Sequence, residues 1–401
     1  AEKYRADGRK VYEIGTFRLM QNLTTESKVG KTSKENTYQL LRTGKNNIFT
    51  VIQNSKLPDS AMFEIAERIE KEDGNRFLAQ TIREASRTFN LSSAINNICD
   101  NLRKHCIKDE MAQKMAESIH NKFLNGNYDS FYEKDDLAQA ITKDLQDIGQ
   151  NPHVYVIAKT NEDKKSVDER RQELEKSNFG FKEISTSKDG ISYISILNFE
   201  NPKELVDGKA LSKEFALNAL KQVIDSKPKA IILDLRNHEG GSVFMSELVL
   251  SHFLNADLVL TAFDYKEPPI GEELLSFPLE PCKTWNYEQL PENGRLTSSS
   301  VPIYVLVSRT TFSAGEDIAC HLKELGRATL IGETTGGGGD PNKLFDAKEF
   351  LVAMPIAYAR VPYGPSWEGR GVEPHIQIDK NQDARNVAEQ LISEKLFNKS
   401  I

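Results

Sequence analysis

KAIILDLR, residues 229–236, is a nearly continuous apolar run that ends in charge, and VPIYVLVS, residues 301–308, has the same character. Such short apolar runs are typical of strands that are buried on both faces of a sheet. Segments with helical spacing at 215–224 and 315–325 alternate with these runs. Strands alternating with helices predict an α/β fold in which helices flank a parallel or mixed sheet.

The composition excludes several classes of protein. The 401 residues include 52 Lys+Arg and 59 Asp+Glu, and the net charge of -7 argues against a nucleic-acid-binding surface. No apolar run reaches the roughly 18 residues of a membrane span. The four cysteines form no CxxC pair and have no metal-type spacing, so neither a zinc site nor a redox motif is predicted, although a bridge between Cys99 and Cys106 is possible.

Two turns at the ends of predicted strands contain residues that could act in catalysis. Gly240 and Gly241 follow the first apolar run, and glycines allow a backbone N–H to approach a ligand closely, as an oxyanion hole requires. A glycine-rich turn that serves only the path of the backbone explains the two glycines equally well. Ser313 follows the second run at a strand-to-helix corner, with the N–H of Ala314 beside it, which suits a nucleophile. A capping box between Ser313 and Glu316 is the alternative.

The remaining candidates are an acidic turn and the histidines. Glu368 lies in WEGRGVEP, residues 367–374, which on its own resembles a β-turn with solvated charges. The run GETTGGGG, residues 332–339, lacks the Lys-Ser/Thr ending of a P-loop, which argues against nucleotide binding. A serine nucleophile needs a base, and both His153 and His238 are candidates because sequence spacing does not decide which groups meet in space. Structural roles are predicted for the others: His105, His120, His252, His321 and His375.

Five motifs, taken together and in this order, resemble the tail-specific (C-terminal-processing) serine peptidase superfamily, and five ordered motifs are far more specific than one. They are NPH 151–153, DLR through GG 234–241, SAGE 313–316, GETTGG 332–337 and WEGRGV 367–372. The closer match is to the branch of the tricorn core protease and interphotoreceptor retinoid-binding protein. The resemblance implies a mixed sheet flanked by helices in a ClpP/crotonase-like core, with a mainly helical N-terminal domain.

The resemblance also implies roles for particular residues. Ser313 is the expected nucleophile, and the N–H groups of Gly241 and Ala314 are the expected oxyanion hole. His153 is the expected general base, oriented by Glu368. The chemistry requires no metal and no organic cofactor, and the expected partner is a polypeptide substrate.

Three features bear on this assignment. In the other main branch a lysine downstream of the serine acts as base, but residues 336–339 are all glycine. The tricorn-like pattern has a serine before the histidine, whereas this chain has Pro152. About 38 residues separate His153 from Ile191, too few for the PDZ domain of many relatives.

The predicted organisation has three parts. Residues 1–107 form an N-terminal extension of unknown role, residues 108–160 form the helical domain that carries the base, and residues 185–385 form the α/β catalytic core, with no PDZ domain. Because relatives are mostly exported and the chain begins with Ala1 rather than Met, we expect an extracytoplasmic (periplasmic or secreted) location.

Two points stay open in the sequence. The retinoid-binding relatives share the WEG and GETTGGG segments without the nucleophile motif, so a non-catalytic binder of retinoid or fatty-acid-like ligands is the alternative function, and an inactive scaffold is a third. The substrate pocket has no signature. Its predicted wall consists of Gly240, Phe244, Phe312 and Tyr363.

Overall fold

A computed structural model of the chain describes residues 91–159, 166–297, 300–379 and 381–397 without interruption. Before residue 91 it describes a few positions between 66 and 90, together with five short strands, for which the sequence makes no prediction. These are β1 (Glu2–Tyr4), β2 (Lys10–Glu13), β3 (Arg18–Leu23), β4 (Asn36–Leu41) and β5 (Thr50–Val51). The helical spacing of Met62, Ile65 and Ile69 lies outside the described residues.

Three helices follow: α1 (Leu91–His105), α2 (Asp109–Leu124) and α3 (Lys134–Gly149). Asn90 caps α1 by accepting the N–H of Ser93 at 2.7 Å, which satisfies one of the free donors at the helix start. The apolar faces of the helices pack on an antiparallel sheet with the order β13-β14-β6. Its strands are β6 (Tyr155–Ala158), β13 (Asn342–Ala347) and β14 (Phe350–Pro355). The helical region therefore shares one core with strands from the other end of the chain.

The main sheet has six strands in the order β16-β12-β11-β9-β8-β7. They are β7 (Phe181–Thr186), β8 (Ile191–Ile196), β9 (Ala230–Asp234), β11 (Ile303–Val307), β12 (Ala328–Gly332) and β16 (Ile376–Gln377). All neighbours run parallel except β7, which pairs antiparallel with β8. The apolar runs at 229–236 and 301–308 thus contain β9 and β11, side by side, as predicted.

Helices cover both faces of this sheet. The remaining helices are α4 (Val167–Lys176), α5 (Leu211–Asp225), α6 (Val243–Phe253), α7 (Ala314–Glu324) and α8 (Ala384–Phe397), with 3-10 turns at Asn178–Gly180, Gly271–Leu275 and Glu292–Gly294. Ile231 and Leu233 of β9 pack in the core that contains α5, α6 and α7, whereas Ile232 faces α8. Alternate side chains of β9 are buried on opposite faces, which explains its unbroken apolar sequence.

A two-stranded antiparallel ribbon of β10 (Ala262–Tyr265) and β15 (Ala357–Arg360) stands beside the main sheet. All four cysteines are buried and unbridged. None of the described helices is both long and apolar enough to cross a membrane. The parallel strands β9 and β11 end at the same edge of the sheet, so the turns that follow them lie together.

Candidate active site

Ser313 lies in the turn between β11 and α7, with φ 52° and ψ -120°. A non-glycine residue in this backbone region costs about 1–3 kcal/mol, and such strain is concentrated at functional sites. The sharp turn brings the side chain to the tip of a strand-to-helix corner, at the amino end of α7, where the helix dipole favours negative charge.

The Glu316 side chain caps this turn. Its Oε2 accepts the backbone N–H of Ser313 at 2.9 Å, and the Glu316 N–H donates to the backbone carbonyl of Ser313 at 2.8 Å. Only the Glu316 half of the capping box that the sequence offers as the alternative is present, because the Ser313 hydroxyl accepts no hydrogen bond from the Glu316 N–H. Both of these contacts use the backbone of Ser313, so capping does not consume its hydroxyl.

Glu316 also joins the nucleophile turn to the glycine-rich loop. Its carboxylate accepts the Thr335 hydroxyl and the N–H groups of Gly337 and Gly338, each of the latter at 2.7 Å. The side chain is fully buried, and burial raises its pKa against the lowering effect of these donors. Sequence reasoning identified Glu316 only as a cap and missed this second role.

The second turn, after β9, contains Gly240 and Gly241 with φ of +113° and +119°. A Cβ on Gly241 would lie 2.2 Å from the carbonyl oxygen of Phe199, and one on Gly240 would lie 2.8 Å from the Cβ of Ser313. Only glycine fits either position. Among the described residues, the N–H groups of Gly241 and Ala314 donate to no acceptor, and both residues line one cavity with Ser313.

Hydrogen bonds hold the two turns together. The N–H of Phe312 donates to the carbonyl of His238 at 2.9 Å, and the Thr311 hydroxyl donates to the carbonyl of Leu235 at 2.7 Å. The His238 ring is completely buried, and its Nδ1 accepts the N–H of Gly240 at 3.1 Å. Burial lowers the pKa of His238 to about 3. This ring supports the glycine turn from inside the protein, a position that does not suit a base.

His153 lies beside Phe312, the residue before Ser313. Its ring packs edge-on against the ring of Phe312, with the centroids 4.6 Å apart, and its side chain is buried. Within the described part of the chain, its Nδ1 makes no hydrogen bond, and no hydrogen bond joins the ring to Ser313 or Glu368. Burial lowers the pKa of His153 to about 4, against the raising effect of Glu368. The ring is therefore neutral at pH 7 and able to accept a proton.

Glu368 already has four hydrogen-bond donors. Its Oε1 contacts the ammonium of Lys108 and accepts the Asn151 side-chain amide at 2.9 Å. Its Oε2 accepts the N–H groups of Gly339 at 2.7 Å and Asp340 at 2.9 Å. Burial alone would raise the pKa of Glu368, but the hydrogen bonds and the charge of Lys108 outweigh it and leave the pKa below its usual value. Glu368 is thus an anion at neutral pH.

Lys108 and Asp340 are functional candidates that sequence reasoning missed. Lys108 precedes the first residue of α2, and its Nζ lies 3.1 Å from the Oδ2 of Asp340, whose side chain is only 2 % exposed. Neither residue belongs to a recognisable local pattern, so the sequence holds no signal for their meeting. Across the described residues, no three His, Cys, Asp or Glu side chains are grouped to hold a metal ion.

The cavity beside Ser313 has a volume of about 100 Å³. Its wall combines apolar and aromatic side chains with polar ones such as Asp317; the former are Val243, Phe263, Tyr265, Phe277 and Trp367. The hydroxyl of Tyr265 is buried there with no hydrogen-bond partner among the described residues. The wall residues Val243, Phe263, Tyr265 and Phe277 come from α6, β10 and the segment near residue 277, none of which the motifs mark.

The four residues predicted for the pocket wall lie in different places. Gly240 contacts Ser313, and Phe312 packs between His153 and Gly338, where a Cβ would lie 2.2 Å from its ring. Phe244 is buried, with the ammonium of Lys203 3.2 Å from its ring centroid. Tyr363 is exposed. None of the four lines the cavity beside Ser313.

Comparisons with known proteins show sequence similarity over part of this chain. Residues 190–378 match the model of Peptidase family S41. The chain is 30% identical over 152 residues to the chloroplastic C-terminal processing peptidase of Tetradesmus obliquus, covering 37% of this chain and 28% of that protein. It is 28% identical over 169 residues to the carboxyl-terminal-processing protease of Synechocystis sp., covering 42% and 35%. The matched region thus spans about a third of the length of these relatives.

One solved structure supports the fold. The crystal structure of a candidate peptidase from Parabacteroides merdae has a TM-score of 0.50 and 17% sequence identity, covering 75% of this chain and 96% of that chain. The predicted mixed α/β fold and the predicted resemblance to the tail-specific peptidase superfamily are confirmed. The region 190–378 is therefore similar in sequence to peptidase family S41.

Proposed function

We propose that this chain is a serine endopeptidase in which Ser313 is the nucleophile, His153 the general base and Glu368 the carboxylate that steadies it. The observation that carries the proposal is the cavity that Ser313 shares with Gly241 and Ala314, whose N–H groups have no acceptor among the described residues. A nucleophile beside two unused donors is the arrangement that acyl transfer requires.

The reaction follows from these groups. The Ser313 oxygen bonds to the peptide carbonyl carbon while its proton passes to His153, and the carbonyl oxygen becomes an oxyanion. The N–H groups of Gly241 and Ala314 stabilise that charge, each by roughly 3 kcal/mol. The C–N bond then breaks as His153 returns the proton to the leaving amine, and water hydrolyses the acyl-enzyme by the same steps.

The choice of a histidine base rests on two observations. His153 is neutral at pH 7 and packs on Phe312, the residue before the nucleophile. Residues 336–339, where the other branch carries its lysine, are glycines. Glu368 stabilises the imidazolium through its charge. Catalytic hydrogen bonds are often incomplete without substrate, so we propose that the link from His153 to Ser313 shortens when a peptide binds.

The proposed substrate is a polypeptide with an apolar side chain at the cavity, because the wall contains Phe263, Phe277 and Trp367. The alternative of a retinoid or fatty-acid binder has less support, because such binding would not require two unused N–H donors beside a serine hydroxyl. Two of the relatives carry C-terminal processing in their names. The extracytoplasmic location stays a prediction.

The test is Ser313→Ala, assayed on an unstructured protein such as casein. We expect hydrolysis to be lost, with the melting temperature changed by no more than about a degree, because only the partly exposed hydroxyl is removed. A fluorophosphonate should label the wild type at Ser313, as mapped by mass spectrometry. Ser185→Ala, in an exposed position on β7, is the control that should keep full activity. Activity in Ser313→Ala, or labelling at another residue, would refute the proposal.

A further inference from the structure

Lys108, Glu368 and Asp340 form a compact cluster of charged side chains, and the charges of Glu368 and Lys108 act on His153. The ammonium of Lys108 contacts the carboxylate of Glu368 and lies 3.1 Å from the Oδ2 of Asp340. The three side chains are 26%, 16% and 2% exposed, so the cluster is largely shielded from water. Lys108 comes from the start of α2, whereas both carboxylates come from the α/β part of the chain.

The two carboxylates are held close to each other. The backbone N–H of Asp340 donates to Glu368, and the charge of Glu368 raises the pKa of the Asp340 carboxyl, adding to the effect of burial. Two carboxylates in one poorly solvated site cannot both stay ionised without a cation, because like charges force one pKa upward. Among the described residues, the other charged groups that act on the cluster are His153 and the exposed Arg360, which is already paired with Asp264 at 2.6 Å.

Lys108 is the group that resolves this conflict. Its hydrogen bond and charge favour the ionised forms of Glu368 and Asp340, and the two carboxylates in return raise the pKa of Lys108 despite its partial burial. An ammonium held in this way stays protonated and does not act as a base. Its effect on the reaction must therefore be exerted through its neighbours.

We propose that Lys108 is a positioning residue that keeps both Glu368 and Asp340 ionised and holds the Glu368 carboxylate against the turn at Gly339 and Asp340, where it faces His153. The proposal rests on the proposed function, since it assigns the orientation of the general base to a residue of the helical region. Without this cation the carboxylate pair shares a proton, and the Glu368 carboxylate loses both the ammonium contact that fixes its position and part of its own charge.

Three variants test the proposal through the pH profile of kcat/KM. Lys108→Met should lower kcat/KM at pH 7 by about tenfold or more and move the acid limb to higher pH, because the carboxylate pair must first lose the shared proton. Lys108→Arg keeps the cation and should recover most of that loss. Lys108→Met combined with Asp340→Asn should also recover it, since one carboxylate alone needs no counter-charge. The amide oxygen introduced by Asp340→Asn can still accept the Ala359 N–H that Asp340 accepts at 3.0 Å.

The matched control is Lys122→Met. Lys122 lies on the same helix and pairs with the single carboxylate of Asp144 away from the site, so its replacement should leave the pH profile unchanged. A wild-type profile in Lys108→Met would overturn the proposal. So would a loss that Asp340→Asn does not relieve, because a role in packing alone would not depend on the second carboxylate.

A measurement without substrate separates this proposal from the proposed function. In Lys108→Met the carboxylate pair has a raised pKa in the folded state, so its stability falls as pH rises above about 4. The difference in melting temperature between the wild type and Lys108→Met should therefore be larger at pH 8 than at pH 5. Adding Asp340→Asn to Lys108→Met should remove this difference. A gap independent of pH would overturn the role of Lys108 even if Ser313 proves to be the nucleophile. A pH-dependent gap would support it even if Ser313→Ala stays active.

Discussion

The two halves of the candidate site are built in different ways. The nucleophile side consists of Ser313, the glycine turn 240–241, His238 and Glu316. Its turns follow the neighbouring parallel strands β9 and β11 and are hydrogen-bonded directly to each other. The base side consists of His153, Asn151, Lys108, Glu368 and Asp340. Its members come from the helical region and from two loops of the α/β part. Lys108, Asn151 and Asp340 meet through the side chain of Glu368. His153 joins them through its backbone N–H, which donates to the Asn151 side chain at 2.8 Å.

The two sides also differ in which of their polar groups lack a hydrogen-bond partner among the described residues. On the nucleophile side they are the N–H groups of Gly241 and Ala314, which face the cavity and are ready to receive negative charge. On the base side the Nδ1 of His153 is a buried ring nitrogen without a hydrogen bond. A buried polar atom without a partner costs free energy, so this arrangement favours rearrangement when a substrate enters. We infer that the nucleophile side is preorganised and that the base side is completed by the substrate.

The largest expected effect on the base side comes from replacing His153, the proposed general base. His153→Ala should lower kcat on casein by about 10³-fold, because general-base catalysis contributes about 10² to 10⁴. Added imidazole should restore part of the activity by entering the space left by the ring. Parallel slowing of fluorophosphonate labelling at Ser313 would show that the loss concerns activation of the nucleophile.

His120→Ala is the control for this experiment, because His120 lies on α2 and outside the site. It should keep wild-type rates. An undiminished rate in His153→Ala would remove this histidine from the mechanism and leave the base side without a catalytic role.

A smaller loss is expected from Gly241→Ala on the nucleophile side. The new Cβ would lie 2.2 Å from the Phe199 carbonyl oxygen, so the turn must move and the N–H must leave its place. Loss of one oxyanion donor should lower kcat by about 10²-fold, with KM little changed. Gly208→Ala is the matched control, since Gly208 also has a positive φ of +69° but no atom within 4 Å of the added Cβ. Equal losses in both variants would contradict the oxyanion role.

The nucleophile side could be predicted from the sequence because its geometry follows from local rules. Two apolar runs predict adjacent buried strands, and parallel strands end at the same edge of a sheet. Ser313 and the glycine turn each follow one of these strands within a few residues. Their proximity thus depends on the strand pairing alone, and the motifs supply the rest.

The base side and the pocket could not be predicted in the same way. Lys108 meets Glu368 only because α1 to α3 pack on β13 and β14, a contact between opposite ends of the chain. The pocket wall contains Phe263 and Phe277 rather than Phe244 and Tyr363, because the segments around β10 fold over Ser313. These segments have no sequence pattern that fixes their orientation, and aromatic residues near a motif in sequence need not lie near it in space.

The smallest expected effect concerns the pH dependence of stability, to which both buried histidines of the site contribute. Burial lowers the pKa of His238 to about 3 and that of His153 to about 4, from the usual 6.5. Between these values and 6.5 the unfolded chain binds more protons than the folded one, so stability is complete above pH 6.5 and falls as the pH is lowered. His238→Asn cannot titrate, yet its side-chain oxygen can still accept the Gly240 N–H.

We therefore expect the melting temperature of His238→Asn to fall less than that of the wild type between pH 7 and pH 4.5, by about 2 °C or more in scanning calorimetry. Its rate on casein should stay within about tenfold of the wild type, because the oxyanion turn keeps its support. His238→Ala, which removes the acceptor as well, should lose more activity. If His238→Asn and the wild type lose stability equally with acid, His238 is not held neutral, and the contrast between a rigid nucleophile side and an adjustable base side fails at this residue.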